Sequence, residues 1–323
     1  MLLWSVMLCN FAVCDLLDIE YPIVQGGMAW LGTFELVTAV SNAGGLGVIG
    51  SGDAPTEWLR EQIRQTREWT DKPFAVNIMM MSPFLKDNLE LILAEKVGIV
   101  TFGGGNPGGY LARLKEAGCK VMPVVSSVAL ARRLERLGAD AVVAEGMESG
   151  GHVGETTTMA LVPQVASSVK VPVVAAGGIA DGHGLIAALA LGAQGVQMGT
   201  RFICSEECIA HPKFKERIME AHDRATVVTG VSTGHPVRCL ENKLTYQFTV
   251  MEEAGASQAE LEEFGRGKLS SGVIQGNVEE GSLMAGQIAG LIKEIKPVKA
   301  IIQDIMTEAQ QVLDAMGKLQ VRG

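Results

Sequence analysis

The stretch Ala144–Thr158 reads Ala-Glu-Gly-Met-Glu-Ser-Gly-Gly-His-Val-Gly-Glu-Thr-Thr-Thr. It holds four glycines, two acids ahead of one histidine, and a threonine run suited to starting a helix. Glycines at that density let the backbone approach a flat ligand and adopt positive φ. Imidazole titrates near neutral pH, so a histidine among them is placed for proton transfer rather than for packing. His152 is therefore read as the acid/base of an enzyme. Glu145 is suited to bind a ring N–H or a ligand hydroxyl. The competing readings are a loop histidine bonded to backbone and a buried ion pair.

Two further loops, Gly177-Gly178-Ile179 and Gly199-Thr200-Arg201, have the composition of a phosphate cradle. Backbone N–H groups and a helix start would supply its donors. Gly26-Gly27-Met28-Ala29 and Asn77 suit the edge of a flat ring, with Met28 as soft apolar cover. Met79, Met80 and Met81 suggest an adaptable apolar lining. The other histidines are less well placed. His183 reads as a surface cap, His211 and His222 as exposed, and His235 as a residue of a C-terminal appendage that could reach the site. Cys204 and Cys208, four apart, lack the second pair that a zinc site requires, so no metal site is expected.

These residues need a scaffold, and the chain supplies a repeated one. Short apolar runs alternate with amphipathic helices from Tyr21 onward. The strand candidates are 23–25, 46–49, 74–77, 99–102, 120–125, 141–144, 173–176 and 195–198. Near-continuous apolar strands with intervening helices describe an α/β fold of the TIM (β/α)8 barrel type. Every loop singled out above follows a strand, and active sites of such barrels sit at the strand C-termini. The predicted organisation is an N-terminal extension over 1–20 and a barrel over 21–224. A small cap subdomain of irregular or short elements over 225–280 follows. At 281–323 come C-terminal helices, one opening at Gly281–Gln287 and one running over 298–319.

Hydrophobic residues are 47% of 323 and Gly is 39, which permits a large core with many tight turns. The net charge of −9 argues against nonspecific nucleic-acid binding, which needs clustered Lys and Arg. Arg132, Arg133 and Arg136, or Lys213, Lys215 and Arg217, form local basic groups that read best as solvated helix faces. Six scattered cysteines in a chain this size indicate reduced thiols and a cytoplasmic protein. The apolar Met1–Cys14 lacks a basic n-region and is too short to span a bilayer, so a packed segment or a start-site extension is expected, with no membrane association. No nucleophile elbow, Walker A loop or Rossmann fingerprint is present.

Taken together, Tyr21–Trp30, Ala43–Gly50, Lys72–Met79, Ala144–Thr158, Ala175–Gly182 and Val196–Phe202 resemble the flavin-dependent enoyl-acyl-carrier-protein reductases and their relatives, the nitronate monooxygenases (2-nitropropane dioxygenases). The resemblance implies FMN, with its phosphate at Gly177, Gly178, Gly199 and Thr200. It implies further cofactor contacts from Gly26, Gly27, Met28, Asn77, Glu145, Gly150, Gly151 and Gln197, and it implies that His152 is catalytic. NADH or NADPH as co-substrate, a monovalent-cation activator, a homodimer and an enoyl-acyl carrier protein substrate are implied too. Asn77–Phe84, Ala144–His152 and Gly281–Leu291 tilt the reading to the reductase. The alternative is an enzyme oxidising a small-molecule nitronate with O2.

Overall fold

The computed structural model describes residues 11–318. Eight parallel strands form one sheet: β1 (Ile23–Gln25), β2 (Gly47–Gly50), β3 (Phe74–Met79), β4 (Ile99–Gly103), β5 (Lys120–Val125), β6 (Val142–Glu145), β7 (Val173–Ala176) and β8 (Gly195–Met198). β1 pairs with β8 in the register Ile23↔Val196, and the sheet curls until its two edges meet. The closing seam runs between β1 and β2. Gln25 N–H donates to Leu46 O at 2.9 Å, and Leu46 N–H donates to Ile23 O at 2.9 Å. The buried Gln25 amide then serves as an extra rung, donating to Val48 O at 3.1 Å and accepting from Val48 N–H at 3.0 Å. The fold is the (β/α)8 barrel, with its helices in an outer ring.

The period-2 alternation of each strand sorts the side chains. In β6, Val142 and Ala144 pack outward against helices while Val143 packs inward. The next inward position at the top of β6 is Glu145. The barrel interior is filled by side chains such as Val24, Val48, Ala75, Ile99, Met122 and Val174. Its N-terminal end is stoppered by the helix Ala12–Leu17, whose Val13, Cys14 and Leu17 join that interior cluster. The Met1–Asn10 half of the apolar N-terminal run lies outside the described residues.

Residues 225–280 are more regular than their sequence suggests. Strands Thr226–Thr229 and Val237–Leu240 pair antiparallel, and Gly151–His152 adds a third strand. Helices Lys243–Glu253 and Gln258–Gly265 follow, each opened by a capping box, at Asn242/Thr245 and Ser257/Glu260. The short helix Lys268–Val273 completes the cap.

The helix expected to open at Gly281–Gln287 does not form. That segment is extended, and its hydrogen bonds go to distant partners. Leu240 N–H donates to Leu283 O at 2.9 Å, Gly286 N–H to Thr200 Oγ1 at 2.9 Å, and Gln287 N–H to Glu148 O at 2.9 Å. These bonds satisfy the backbone without a helical ladder, and only a 3-10 turn, Gln287–Leu291, follows. The last helix, Val298–Met316, packs on Gly182–Ala190; the expected end at Leu319 lies outside the described residues. Lys215 also departs from expectation. It is 7% exposed and its ammonium donates to Ser205 O and Cys208 O, so Lys213, Lys215 and Arg217 form no solvated basic face. Arg132, Arg133 and Arg136 are exposed. Among the described residues no helix is long and apolar enough to cross a membrane.

Leu17 is fully buried in the stopper, so Leu17→Ala leaves a cavity under the barrel. The expected cost is about 2–5 kcal/mol, seen as a lower urea midpoint at unchanged m-value.

Candidate active site

Seven βα loops and the cap enclose a cavity of about 570 Å³ at the C-terminal end of the barrel. Gly26, Gly27, Met28, Asn77, Glu145, Gly150, Gly151, His152, Gly177, Gly178, Gln197, Gly199 and Thr200 all line it. Each of these positions lies at the C-terminal end of a strand or in the segment after it, so the fold brings together residues as far apart in sequence as Gly26 and Thr200.

Backbone conformation shapes the wall. Gly177 and Gly178 have φ of 87° and 72°, values that cost other residues strain. Gly27 is constrained by contact instead. A Cβ there would lie 2.3 Å from Asn77 Cβ and 2.6 Å from its Cγ. Asn77 in turn donates from Nδ2 to Thr101 Oγ1 at 2.9 Å, which fixes its amide against the cavity floor. Glycine walls, an oriented amide and loops at two strand ends fit a flat ring system with an anionic tail. Met28 and Met79 add apolar cover. Trp30, in the same wall, is held at φ 66° and leans on Trp58 with ring centroids 6.0 Å apart. A bulky side chain in the left-handed region is strained backbone, and such residues cluster at functional sites.

The two acids of the histidine loop have separate jobs. Glu148 accepts from Thr158 N–H at 2.9 and 3.0 Å, and so caps the helix Thr158–Ala166. Thr158 Oγ1 also lies 2.9 Å from Gly177 O, which joins this loop to the next one. Glu145 points into the cavity. Burial pushes its carboxyl up to about 7, and the Ser149 hydroxyl draws it partly back. The His152 imidazole is depressed, first by burial and then by the charge of His235. It stays neutral at physiological pH and is able to exchange a proton.

His152 owes its position to the cap. Gly151 and His152 pair antiparallel with Arg238 and Val237, and Val153 N–H donates to Pro236 O at 3.0 Å. Arg238, 4% exposed, donates from Nε to Met147 O and from a terminal nitrogen to Thr226 Oγ1, both at 3.0 Å. One guanidinium thus bolts the histidine loop to the cap. Sequence reasoning passed over Arg238; the signal was a lone charge within the apolar run Val237–Leu240. It also passed over Met284 and Gly286, and over Gly265, Arg266 and Leu269 of the cap, which line the cavity from the far side.

The remaining histidines lie elsewhere. His183 contacts Glu308 at 3.1 Å on the surface, His222 is exposed, and His211 is partly buried, accepting from Lys213 N–H at the start of its helix. Asp181, His183 and Glu308 are close enough to share an ion, but Asp181 and Glu308 already accept from Gly184 and Gly182 N–H at the same helix start. Cys204 and Cys208 are buried, and burial pushes both thiols up to about 11, which disfavours the thiolate.

A glycine-walled cavity at the top of a (β/α)8 barrel, with one histidine loop and two phosphate-type loops, defines a class. The nitronate monooxygenase family model matches residues 10–90 and 85–308, and the chain belongs to that family and is an oxidoreductase. Among individual relatives, the solved structure of FabK from Thermotoga maritima is 53% identical, with a TM-score of 0.93 over 95% of this chain and 98% of that one. The nitroalkane oxidase of Streptomyces ansochromogenes is 28% identical, with a TM-score of 0.83 over 94% and 99%. A carboxyl-CoA dehydrogenase of Mycobacterium tuberculosis is 35% identical over 95% of this chain and 96% of its own length.

Glu145 gives the site a pH signature. Its folded carboxyl holds a proton up to about 7, whereas an unfolded one loses it near the ordinary carboxylate value. Between those values the folded state binds more protons, so this group's contribution to stability falls as pH rises. The depressed His152 acts in the opposite direction. Glu145→Gln removes only the carboxylate share. Its urea midpoint is expected to exceed that of the wild type at about pH 8 and to converge with it near pH 5. An unchanged difference between those pH values would contradict the assignment.

Proposed function

We propose that this chain is an FMN-dependent enoyl-acyl-carrier-protein reductase of fatty acid synthesis, using NADH or NADPH. The observation that carries the reading is the 53% identity to FabK, an enoyl-acyl-carrier-protein reductase, along 95% of the chain. Similarity to a dehydrogenase of a carboxyl-CoA supports a thioester as the substrate class.

FMN, when bound, supplies hydride chemistry between the nicotinamide and the 2-enoyl thioester. The chain's own residues do the rest. The loops at Gly177–Gly178 and Gly199–Thr200 would hold the phosphate. Gly26, Gly27, Asn77 and Gln197 would meet the ring and its chain from the barrel side, and Glu145, Gly150 and Gly151 from the histidine loop. His152 would deliver a proton to the α carbon or polarise the thioester carbonyl, a contribution of about 10²–10⁴-fold. Met79, Met81 and Leu269 offer the acyl chain an apolar wall. A homodimer, a cytoplasmic location and activation by a monovalent cation belong to the same proposal.

A second reading uses the same cavity. The family match, and 34% identity to the "Probable nitronate monooxygenase" of Staphylococcus saprophyticus, favour oxidation of an alkyl nitronate by O2.

An anaerobic titration separates the two. The purified yellow protein is mixed with NADH or NADPH and then with crotonyl thioester. Bleaching and then return of colour is expected. No bleaching by either nicotinamide, with O2 uptake on adding a nitronate, would transfer the assignment to the monooxygenase. Two variants test the site. His152→Ala is expected to retain flavin and lose about 10²-fold or more in turnover. Gly27→Ala drives its Cβ into Asn77 and is expected to lower the flavin retained through gel filtration.

A further inference from the structure

Saturating a 2-enoyl thioester consumes a hydride at the β carbon and a proton at the α carbon. If His152 gives that proton, it must be recharged once per turnover, and it is half-buried beneath the cap. The strand it belongs to points to the route.

His152 stands opposite Val237, and the bond from Val153 N–H to Pro236 O carries the same register one step further. Continued one residue past the end of the ladder, this register would bring Gly154 opposite His235. Directly opposed residues share a face and alternate residues return to it, so the continued register would set His152 and His235 on one face as diagonal neighbours, about 7–8 Å apart. Gly154 has no side chain to stand between them. After burial, His235 is the second cause that lowers the His152 imidazole, consistent with their proximity. His235 itself is exposed to solvent. Its loop is anchored from behind: Glu252 accepts from Gly230 N–H at 2.9 Å and from Ser232 N–H at 3.0 Å. The other charged groups around the pair are engaged elsewhere, Glu148 with Thr158, Arg238 with Met147 O, and Arg266 with Glu263. Glu145 faces the cavity.

We propose that His235 is a relay residue that takes a proton from water and passes it to His152. The proposal rests on the reductase reading. A proton reaches His152 from His235 through one bridging water, and solvent returns a proton to His235. His152 gives its proton to the α carbon; FMN, when bound, would supply the hydride for the β carbon, and the saturated thioester leaves. No electron is exchanged in the relay itself.

The test compares the wild-type holoenzyme with His235→Asn and His235→Gln by stopped flow. The flavin is first reduced with NADH and then mixed with crotonyl thioester. Both variants are expected to slow reoxidation by about tenfold more than they slow reduction, with a larger solvent deuterium effect on reoxidation. Added imidazole is expected to restore the reoxidation rate at the exposed position. Variants that reoxidise at the wild-type rate, or that slow both half-reactions equally without imidazole rescue, overturn the relay while leaving the reductase reading intact. A wild type that never reoxidises with the thioester overturns both.

Discussion

The antiparallel pairing of Gly151–His152 with Val237–Arg238 is the contact on which this site depends. A loop after a barrel strand is ordinarily free to move, because few backbone bonds tie it down. Here the loop after β6 is taken up as the third strand of a small sheet whose other two strands come from the cap. Arg238 adds a second tie at Met147 O, and Gln287 N–H adds a third at Glu148 O. The histidine therefore sits on a rigid element. Rigid placement of an acid/base group favours productive geometry over a spread of rotamers.

The electrostatics follow from the same enclosure. Folding the cap over the barrel mouth removes water from Glu145 and His152. Burial disfavours charge on both, raising the carboxyl and lowering the imidazole. The carboxyl is thereby moved toward neutrality, while the imidazole is held toward its uncharged form. Glu148 escapes this because the helix start at Thr158 supplies it with donors. Two acids three residues apart thus differ in role because one meets N–H groups and the other meets a cavity.

The barrel and the residues lining its mouth were legible in the sequence for a physical reason. Buried parallel strands are apolar throughout, and their C-terminal loops carry glycines wherever backbone must approach a ligand. Those are local signals, and Gly177, Gly199, Asn77 and His152 each carried one. A cap over 225–280 was expected, but its internal pairing was not legible. Thr226–Thr229 and Val237–Leu240 are short, and their pairing with Gly151–His152 joins segments more than 70 residues apart, which no local pattern encodes. Gly281–Gln287 misled for the same reason, since its apolar content resembles a helix while its hydrogen bonds are drawn away by Leu240, Thr200 and Glu148. Lys215 was assigned to a surface by residue type, and two carbonyls accommodate it inside.

The β1 seam has a consequence for how the molecule is made. Ile23 pairs with Val196, and the stopper helix Ala12–Leu17 fills the space beneath strands from every part of the barrel. During synthesis, the earliest segments thus leave the ribosome long before the partners that bury them. Closure of the ring has to wait for β8, and the intermediate before it presents Leu17, Ile23 and two unpaired strand edges to the surroundings. Such high sequence separation slows folding and exposes sticky surface while it lasts. A cell that makes this protein rapidly would place its greatest demand on chaperones in the interval between emergence of the first strand and arrival of the eighth.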